Sequence, residues 1–156
     1  MNYWLMKSEP DTFGFDDLAA SAKGFEPWDG VRNFQARNYL RAQRKGDQVF
    51  FYHSNCKVPG IVGIAKVVRE AYPDPTQFDP ADDHYDATSK PSDPRWSMTD
   101  VRAVRPLKRV ISLREMIACP KLDGFALTRK GNRLSVLEVT KEQWRVILGL
   151  ERRKAP

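Results

Sequence analysis

Short apolar runs, separated by turns rich in glycine and proline, divide the chain into strands and helices. The run Tyr3-Trp-Leu-Met-Lys7 ends at a Ser-Glu-Pro turn, and the β-branched stretch 61–68 follows a Val-Pro-Gly turn. Both patterns are typical of buried strands. Five strands are predicted in this way, at residues 3–7, 49–53, 61–68, 96–110 and 133–139, and the fourth is either one long strand or two strands broken near Pro106.

Apolar positions at helical spacing predict four helices, at residues 15–22, 33–43, 113–117 and 141–148. Ser112 and Thr140 precede the last two helices, where a hydroxyl group caps free backbone N–H groups, and Glu115 completes a capping box with Ser112. Because short strands are interleaved with short helices, the pattern favours an α+β fold, either a small mixed barrel or a sheet flanked by helices. It does not favour a doubly wound parallel sheet.

The segment 72–94 departs from this regular pattern. It holds five of the eleven prolines and six aspartates, so it is predicted to be an irregular connection. A loop of this length inside a compact domain is uncommon and is usually functional or mobile.

Length and charge narrow the class of protein. The chain of 156 residues is expected to form one domain over residues 1–150, followed by a basic tail at 151–156. The net charge of +6 favours a polyanionic partner such as nucleic acid. No apolar run reaches the roughly 18 residues of a membrane span, and the first residues lack the pattern of a secretory signal. Cys56 and Cys119 lie far apart, which predicts reduced thiols in a cytoplasmic protein.

Residues suited to catalysis are scarce. Only two histidines are available: His53 ends an apolar strand, and His84 lies in an acidic turn where it is expected to be solvated. A strand-end histidine that bonds to the backbone explains His53 as well as a catalytic role does. Neither a phosphate-binding glycine motif nor a dinucleotide fingerprint occurs. The sequence therefore predicts no catalytic residue, no cofactor and no metal.

The segment 28–38 carries the strongest functional signal. Its sequence, Trp-Asp-Gly-Val-Arg-Asn-Phe-Gln-Ala-Arg-Asn, combines two aromatic rings, three side-chain amides and two arginines. Proteins use such groups to stack on an unstacked base, to hydrogen-bond its edge and to contact its phosphate. The alternative is a surface helix after a glycine turn, with Trp28 as an ordinary core anchor.

Similar groups recur where other predicted strands end. Lys7-Ser-Glu9 follows the first strand, Tyr52-His-Ser-Asn55 follows the second, and Trp96 opens the strand after the long loop. If these ends converge with the segment 28–33, they form an apolar slot with a few directed hydrogen bonds. Such a slot is the usual composition of a site for a small ligand or a base.

Seven segments, in order and at fitting spacing, resemble the EVE domain family. They are Lys7-Ser-Glu-Pro10, Trp28-Asp-Gly-Val-Arg-Asn33, Gln35-Ala-Arg-Asn38, Phe50-Phe-Tyr-His-Ser-Asn55, Pro59-Gly-Ile-Val-Gly-Ile64, Tyr72-Pro-Asp-Pro75 and Arg133-Leu-Ser-Val136. The similarity runs from about residue 2 to residue 148. It implies a PUA-like mixed β-barrel of about five to seven strands flanked by short helices, related to YTH and ASCH domains. It also implies a non-catalytic module that binds a modified base, usually modified cytosine, in DNA or RNA.

The resemblance implies a role for particular residues. The base is flipped from its stack into an aromatic-walled pocket, where Trp28 forms one wall and Trp96 a second. The residues that the resemblance places at the base are Lys7, Ser8, Trp28, Arg32, Asn33, Tyr52, His53, Ser54 and Trp96. Arg37 and Arg133, together with Arg32, are expected to face phosphate. The acidic loop 79–86 is unusual for a protein that binds a modified base, because its carboxylates would repel a duplex if the loop lay beside the pocket.

Two alternatives remain from the sequence. The first is a hydrolase acting on a modified nucleoside or a small amide, which needs Lys7, Glu9 and His53 to converge in the slot. The second is a protein-interaction adaptor that uses the long loop rich in proline and aspartate.

Overall fold

One mixed sheet of six strands organises the chain, and the computed structural model describes all 156 residues. The strands are β1 (Tyr3–Ser8), β2 (Glu26–Pro27), β3 (Gln48–His53), β4 (Gly60–Pro73), β5 (Ser97–Ser112) and β6 (Val136–Val139). The helices are α1 (Pro10–Phe13), α2 (Phe15–Ala19), α3 (Phe34–Ala42), α4 (Leu113–Ile117) and α5 (Lys141–Glu151). Short 3₁₀ turns lie at Pro75–Phe78, Pro120–Leu122 and Ala126–Thr128.

The strands follow the order β2-β5-β4-β3-β1-β6, in which only β1 and β3 are parallel neighbours. The predicted α+β class is confirmed. The sheet is not closed into a barrel, because its two edge strands, β2 and β6, do not pair with each other. Closure requires a continuous hydrogen-bonded ladder around the barrel, and these edge strands have only two and four residues.

Each face of the sheet is covered by its own apolar layer. Successive residues of β1 belong to different layers: Trp4 packs with helices α2 and α3, whereas Leu5 packs with α5. This follows from the alternation of side chains along a strand. On the α5 side, the rings of Phe50 and Trp144 stack with their centroids 3.7 Å apart. Because both faces are covered, β1 and β3 have near-continuous apolar runs.

The long strands differ from the sequence prediction at their ends. Strand β4 continues past residue 68 through exposed Arg69 and Glu70, because its partner β5 continues alongside it. Strand β5 is a single strand that passes through Pro106, and the register between β4 and β5 shifts at several points. A proline is tolerated there because β2 pairs only with Asp100 and Val101, which leaves the remainder of β5 as an edge. Strand β6 begins at Val136, three residues later than predicted.

The segment 74–96 joins β4 to β5, where an irregular connection was predicted at 72–94, and buried polar side chains hold it in place. The Gln77 amide donates to the carbonyls of Asp74 and Trp96, and its oxygen accepts from the Ser89 hydroxyl and the Trp96 N–H. The buried Asp74 carboxylate accepts from the Gly30 N–H at 2.8 Å. The segment is therefore docked against residues 28–32.

The C-terminal helix includes Glu151, which the sequence analysis assigned to the tail. Its carboxylate accepts two hydrogen bonds from the Arg105 guanidinium and one from the Lys108 N–H. None of the helices is long and apolar enough to cross a bilayer. Cys56 and Cys119 are not paired with each other, and the cytoplasmic location inferred from them stays a prediction.

Candidate nucleic-acid interface

A cavity of about 440 Å³ opens where β1 ends, beside β2 and the residues that follow it. Helix α1 and the segment 74–96 complete its walls. It is lined by Lys7, Ser8, Glu9, Thr12, Phe13, Glu26, Pro27, Trp28, Asp29 and His84. Its volume falls within the range of about 300–1,000 Å³ typical of small-ligand sites.

Trp28 is both a core residue and a cavity wall. Its backbone N–H donates to the Thr99 carbonyl at 2.7 Å, which continues the pairing of β2 with β5. The indole packs edge-on against Phe51, with centroids 5.3 Å apart, and against Phe13 at 6.5 Å. It is 8 % exposed, and the exposed part borders the cavity. Trp28 therefore packs in the core and also borders the cavity.

Two charged groups in the cavity are not engaged elsewhere. The side chains of Lys7 and Asp29 make no hydrogen bond or ion pair with another residue, although the Lys7 ammonium lies 5.8 Å from the Tyr52 ring centroid. Burial lowers the pKa of Lys7. Burial, followed by the charge of Asp74, raises the pKa of Asp29. The cavity thus offers a half-buried amine and an exposed carboxyl group, both free to bond to a ligand.

The other acidic groups of the cavity are held by neighbouring residues. Glu9 accepts from the Asn55 amide at 3.1 Å, and Glu26 accepts from the Ser21 hydroxyl at 2.8 Å. With Asp29, they place three carboxyl groups around one lysine. This balance disfavours a phosphate inside the cavity, since like charges repel at short range.

Ser8 lies at the cavity as predicted, but its hydroxyl is already used. It donates to the Phe13 carbonyl at 2.6 Å and thereby fixes α1 against the end of β1. The neighbouring Ser54 donates its backbone N–H to the Ser8 carbonyl and is not among the cavity residues. Ser54 thus extends the β1–β3 pairing, and its contact with the base stays a prediction.

The structure places Asn33 outside the cavity. Its side-chain oxygen accepts from the Ala36 N–H at 3.0 Å and caps helix α3. An asparagine just before a helix commonly has this role, and the contact of its amide with the base stays a prediction.

Tyr52 and His53 also lie outside the cavity. The Tyr52 ring belongs to the layer covered by α5, because it alternates with Phe51 along β3. Burial raises the pKa of Tyr52 to about 12. The His53 ring packs against Phe51, and its Nε2 accepts from the Phe15 N–H at 3.1 Å. Because His53 is committed to this bond, the trio of Lys7, Glu9 and His53 that a hydrolase needs does not converge.

Arg32 connects the segment 74–96 to the cavity wall. Its guanidinium donates to the Asp74 carboxylate at 3.1 Å, to the Thr76 hydroxyl at 2.9 Å and to the His84 carbonyl at 2.9 Å. Arg32 was expected to face a base or a phosphate. In the structure its guanidinium is bonded to the segment 74–96 and positions the cavity wall.

Trp96, predicted to form a second wall of the pocket, is not among the residues that line the cavity. Its indole N–H donates to Asp86 at 2.7 Å, and its ring stacks on Phe34 with centroids 4.8 Å apart. Arg37 lies on the same side of the molecule and covers Phe34 at 4.7 Å. Arg133 is exposed near the end of β1, where the Ser135 carbonyl accepts from the Lys7 N–H.

Phe13, Asp29 and His84 line the cavity but are not among the residues predicted for it. Asp29 could have been found, because it directly follows Trp28 in the segment already singled out. His84 is exposed, as predicted, and it also borders the cavity and bonds to Asp82 at 3.1 Å through Nδ1. The acidic loop does lie beside the cavity, and it presents this histidine to it.

The profile of the EVE domain matches residues 2–150. The chain belongs to the EVE domain family. This EVE domain is 51 % identical to mouse thymocyte nuclear protein 1 over 168 residues, which covers 96 % of this chain and 74 % of the relative. It is 45 % identical to human thymocyte nuclear protein 1, with 98 % of this chain and 75 % of that protein covered.

Solved structures agree with this assignment. The human THYN1 protein, solved in complex with DNA containing 5-methylcytosine, superposes with a TM-score of 0.94 at 44 % identity, covering 99 % of this EVE domain and 100 % of that chain. A protein from Pseudomonas putida gives a TM-score of 0.91 at 50 % identity, covering 96 % and 99 %. An ASCH protein from Zymomonas mobilis shares the fold alone, with a TM-score of 0.57 at 11 % identity.

Proposed function

We propose that this EVE domain binds a modified cytosine in DNA, holding the base out of its stack in the cavity beside Trp28. The observation that carries the proposal is the cavity itself, in which an indole adjoins two unengaged charged groups. The likeness to the human THYN1 protein, solved with DNA containing 5-methylcytosine, supports the choice of ligand.

The aromatic residues of the cavity are suited to a planar base. Trp28 and Phe13 both border the cavity, and their rings lie edge to face at 6.5 Å. Stacking of a base on an aromatic side chain contributes about 1–3 kcal/mol. A methyl group on the pyrimidine adds apolar surface that is removed from water in such a site, worth about 0.8 kcal/mol when fully buried.

The unengaged charges match the polar edge of cytosine. Cytosine offers an amino donor at N4 and acceptors at its ring nitrogen and its carbonyl. In the proposed complex Asp29 accepts from the N4 amino group, and Lys7 donates to the acceptors on the other side. Neither side chain has to break a bond to another residue in order to bind the base.

The phosphates stay outside the cavity in this arrangement. Glu9, Glu26 and Asp29 repel an anion from the interior. Arg37 and Arg133 remain the proposed phosphate contacts, since Arg133 is exposed close to the end of β1 and Arg37 lies on helix α3, which follows the cavity segment.

The energy of base flipping sets the preferred form of the nucleic acid. Unstacking a base costs a few kcal/mol, which is comparable with the stacking energy gained on Trp28. We therefore expect tighter binding to single strands, mismatches and weakened pairs than to a perfect duplex.

The direct test replaces Trp28 by leucine, which keeps apolar contact with Phe51. Wild type and Trp28→Leu are titrated, by fluorescence anisotropy, with single-stranded DNA carrying cytosine or 5-methylcytosine at one position. Wild type should bind the modified strand more tightly. Trp28→Leu should lose about 5- to 150-fold in affinity, the equivalent of about 1–3 kcal/mol.

Trp144→Phe is the control, because Trp144 packs on the opposite face of the sheet against Phe50. It should bind like wild type. The proposal is overturned if wild type binds both strands equally, or if folded Trp28→Leu retains full affinity. The same titration with RNA of identical sequence decides between the two nucleic acids.

A further inference from the structure

We infer that the outer side of helix α3 carries a second nucleic-acid contact, an arginine patch that binds the phosphates flanking the base. The patch consists of Arg37, Arg41 and Arg95. The inference rests on the proposed function, since it takes the ligand to be a nucleic-acid strand, and it adds a site that the cavity does not include.

The first observation is that Arg37 and Arg41 are held side by side against the main-chain carbonyl of Arg95, without an ion pair. Arg37 donates to the Arg95 carbonyl at 3.0 Å, and Arg41 donates to the same carbonyl and to that of Pro94, each at 3.2 Å. Arg41 also donates to the Ser97 hydroxyl at 3.0 Å. No carboxylate lies within 4.0 Å of any of the three guanidinium groups.

The crowding of these charges is unfavourable until an anion is present. Burial and the neighbouring charge of Arg41 lower the pKa of Arg37. Because main-chain carbonyls and a hydroxyl hold Arg37 and Arg41, a phosphate can bind to positions that are already set. Such pre-organisation reduces the entropy that side chains lose on binding, and guanidinium groups match phosphate oxygens in geometry.

The second observation is a half-exposed aromatic ring within the patch. Phe34 is 52 % exposed, and it stacks on Trp96 at 4.8 Å with the Arg37 guanidinium 4.7 Å from its centroid. The ring therefore holds Arg37 by a cation–π contact. An exposed phenylalanine beside arginines also offers an apolar surface to a sugar or base of the bound strand.

The third observation is that the patch adjoins the base cavity. The His84 carbonyl at the cavity accepts from Arg32, whose guanidinium lies 5.4 Å from the Trp96 ring. Trp96 in turn stacks on Phe34. A chain of side-chain contacts therefore links the patch to the cavity wall.

The patch has a physical role that the cavity cannot serve. Carboxyl groups dominate the cavity, so electrostatic attraction to the strand must come from elsewhere on the surface. Phosphate contacts supply affinity that is independent of base sequence and falls with salt concentration. We therefore expect the patch to set the affinity for any strand and the cavity to set the preference for the modified base.

The test measures how affinity depends on salt. Arg95→Gln is the first variant, because the Arg95 side chain makes no hydrogen bond or ion pair whose removal could disturb the fold. Arg37→Gln/Arg41→Gln is the second. The association constant falls as salt rises, so the slope of its logarithm against log salt is negative. For single-stranded DNA, this slope should become less steep by about 0.7 for each phosphate that the variant no longer neutralises. Modified and unmodified strands should weaken by the same factor.

A control of equal charge excludes a general effect of net charge. Arg114→Gln/Arg145→Gln removes two exposed arginines from helices α4 and α5, and its slope should equal that of wild type. An unchanged slope in both patch variants, or an equal decrease in the control, overturns the inference. The outcome is separate from the cavity proposal, because a wild type without preference for the modified base can still show a reduced slope in the patch variants.

Discussion

The imidazole ring of His84 lies directly against the α-carbon of Gly30. A β-carbon at Gly30 would come within 2.8 Å of the His84 Nε2 atom. Gly30 has a φ angle of +76° and donates its N–H to Asp74. Two segments distant in the sequence therefore meet at a position that only glycine occupies without strain, and their meeting completes the cavity wall.

Gly30→Ala is predicted to lower both stability and affinity. The positive φ costs a β-carbon about 1–2 kcal/mol, and the added methyl group displaces His84 from the cavity. Denaturant unfolding gives the first quantity, and titration with DNA containing 5-methylcytosine gives the second.

Gly131→Ala is the matched control for this prediction. Gly131 has a φ of +81°, but a β-carbon there meets nothing within 4 Å. Its variant should lose similar stability and keep wild-type affinity. Equal affinities for the two variants would show that contact with His84 does not shape the binding site.

Asp29→Asn is predicted to weaken discrimination between 5-methylcytosine and thymine. The two bases share the 5-methyl group, but thymine carries a carbonyl where cytosine carries its amino group. The Asp29 carboxylate repels that carbonyl, whereas an asparagine amide can donate to it. The ratio of the two affinities should fall about tenfold, the equivalent of ~1.4 kcal/mol, in competition titrations.

Thr12→Val serves as the control for Asp29, because Thr12 also lines the cavity and its side chain makes no hydrogen bond. It should leave the ratio unchanged. If Asp29→Asn preserves the wild-type ratio, Asp29 does not contact the 4-position of the base.

Asn33→Ala is predicted to destabilise the fold by about 1 kcal/mol and to leave base preference unchanged. The reason is that its side chain caps helix α3 and does not reach the cavity. Asn33→Asp, which retains an oxygen acceptor, should restore stability. A variant of normal stability that loses base preference would return Asn33 to the binding site.

His53 is predicted to make stability fall in mild acid. Burial lowers its pKa in the folded state, although Asp16 and Asp17 act in the opposite direction. Below the unfolded pKa of about 6.5, the unfolded chain binds a proton more readily than the folded one. Stability is therefore fully present above that pH and is lost as pH falls through the folded pKa.

The measurement for His53 is the free energy of unfolding at pH 8 and pH 5.5. His53→Gln can still accept from the Phe15 N–H but does not titrate, so its stability should change less between the two pH values. An identical change in variant and wild type would assign the pH dependence to other groups.

Local sequence patterns predicted most of the longer strands and helices. Apolar runs located β1, β3 and the first part of β4, and the hydroxyls of Ser112 and Thr140 cap the helices that they were predicted to cap. The ends of strands were less predictable. Arg69 and Glu70 lie beyond the apolar run that predicted the strand, yet they belong to β4 because β5 continues alongside it.

Two site residues could have been assigned correctly from the sequence. Asn33 immediately precedes a helix, which is a capping position. Tyr52 follows Phe51 on a strand, so the two rings point to opposite faces. In both cases local geometry accounts for the position of the side chain, and the role implied by the family resemblance stays a prediction.

The α+β class and the positions of most of the longer strands and helices follow from the amino-acid pattern alone, because each depends on residues close together in the chain. That Lys7, Asp29 and His84 share one cavity follows only from the folded arrangement. Their approach depends on the docking of the segment 74–96 through buried Asp74 and Gln77. Such contacts join residues far apart in the chain, and no local periodicity encodes them.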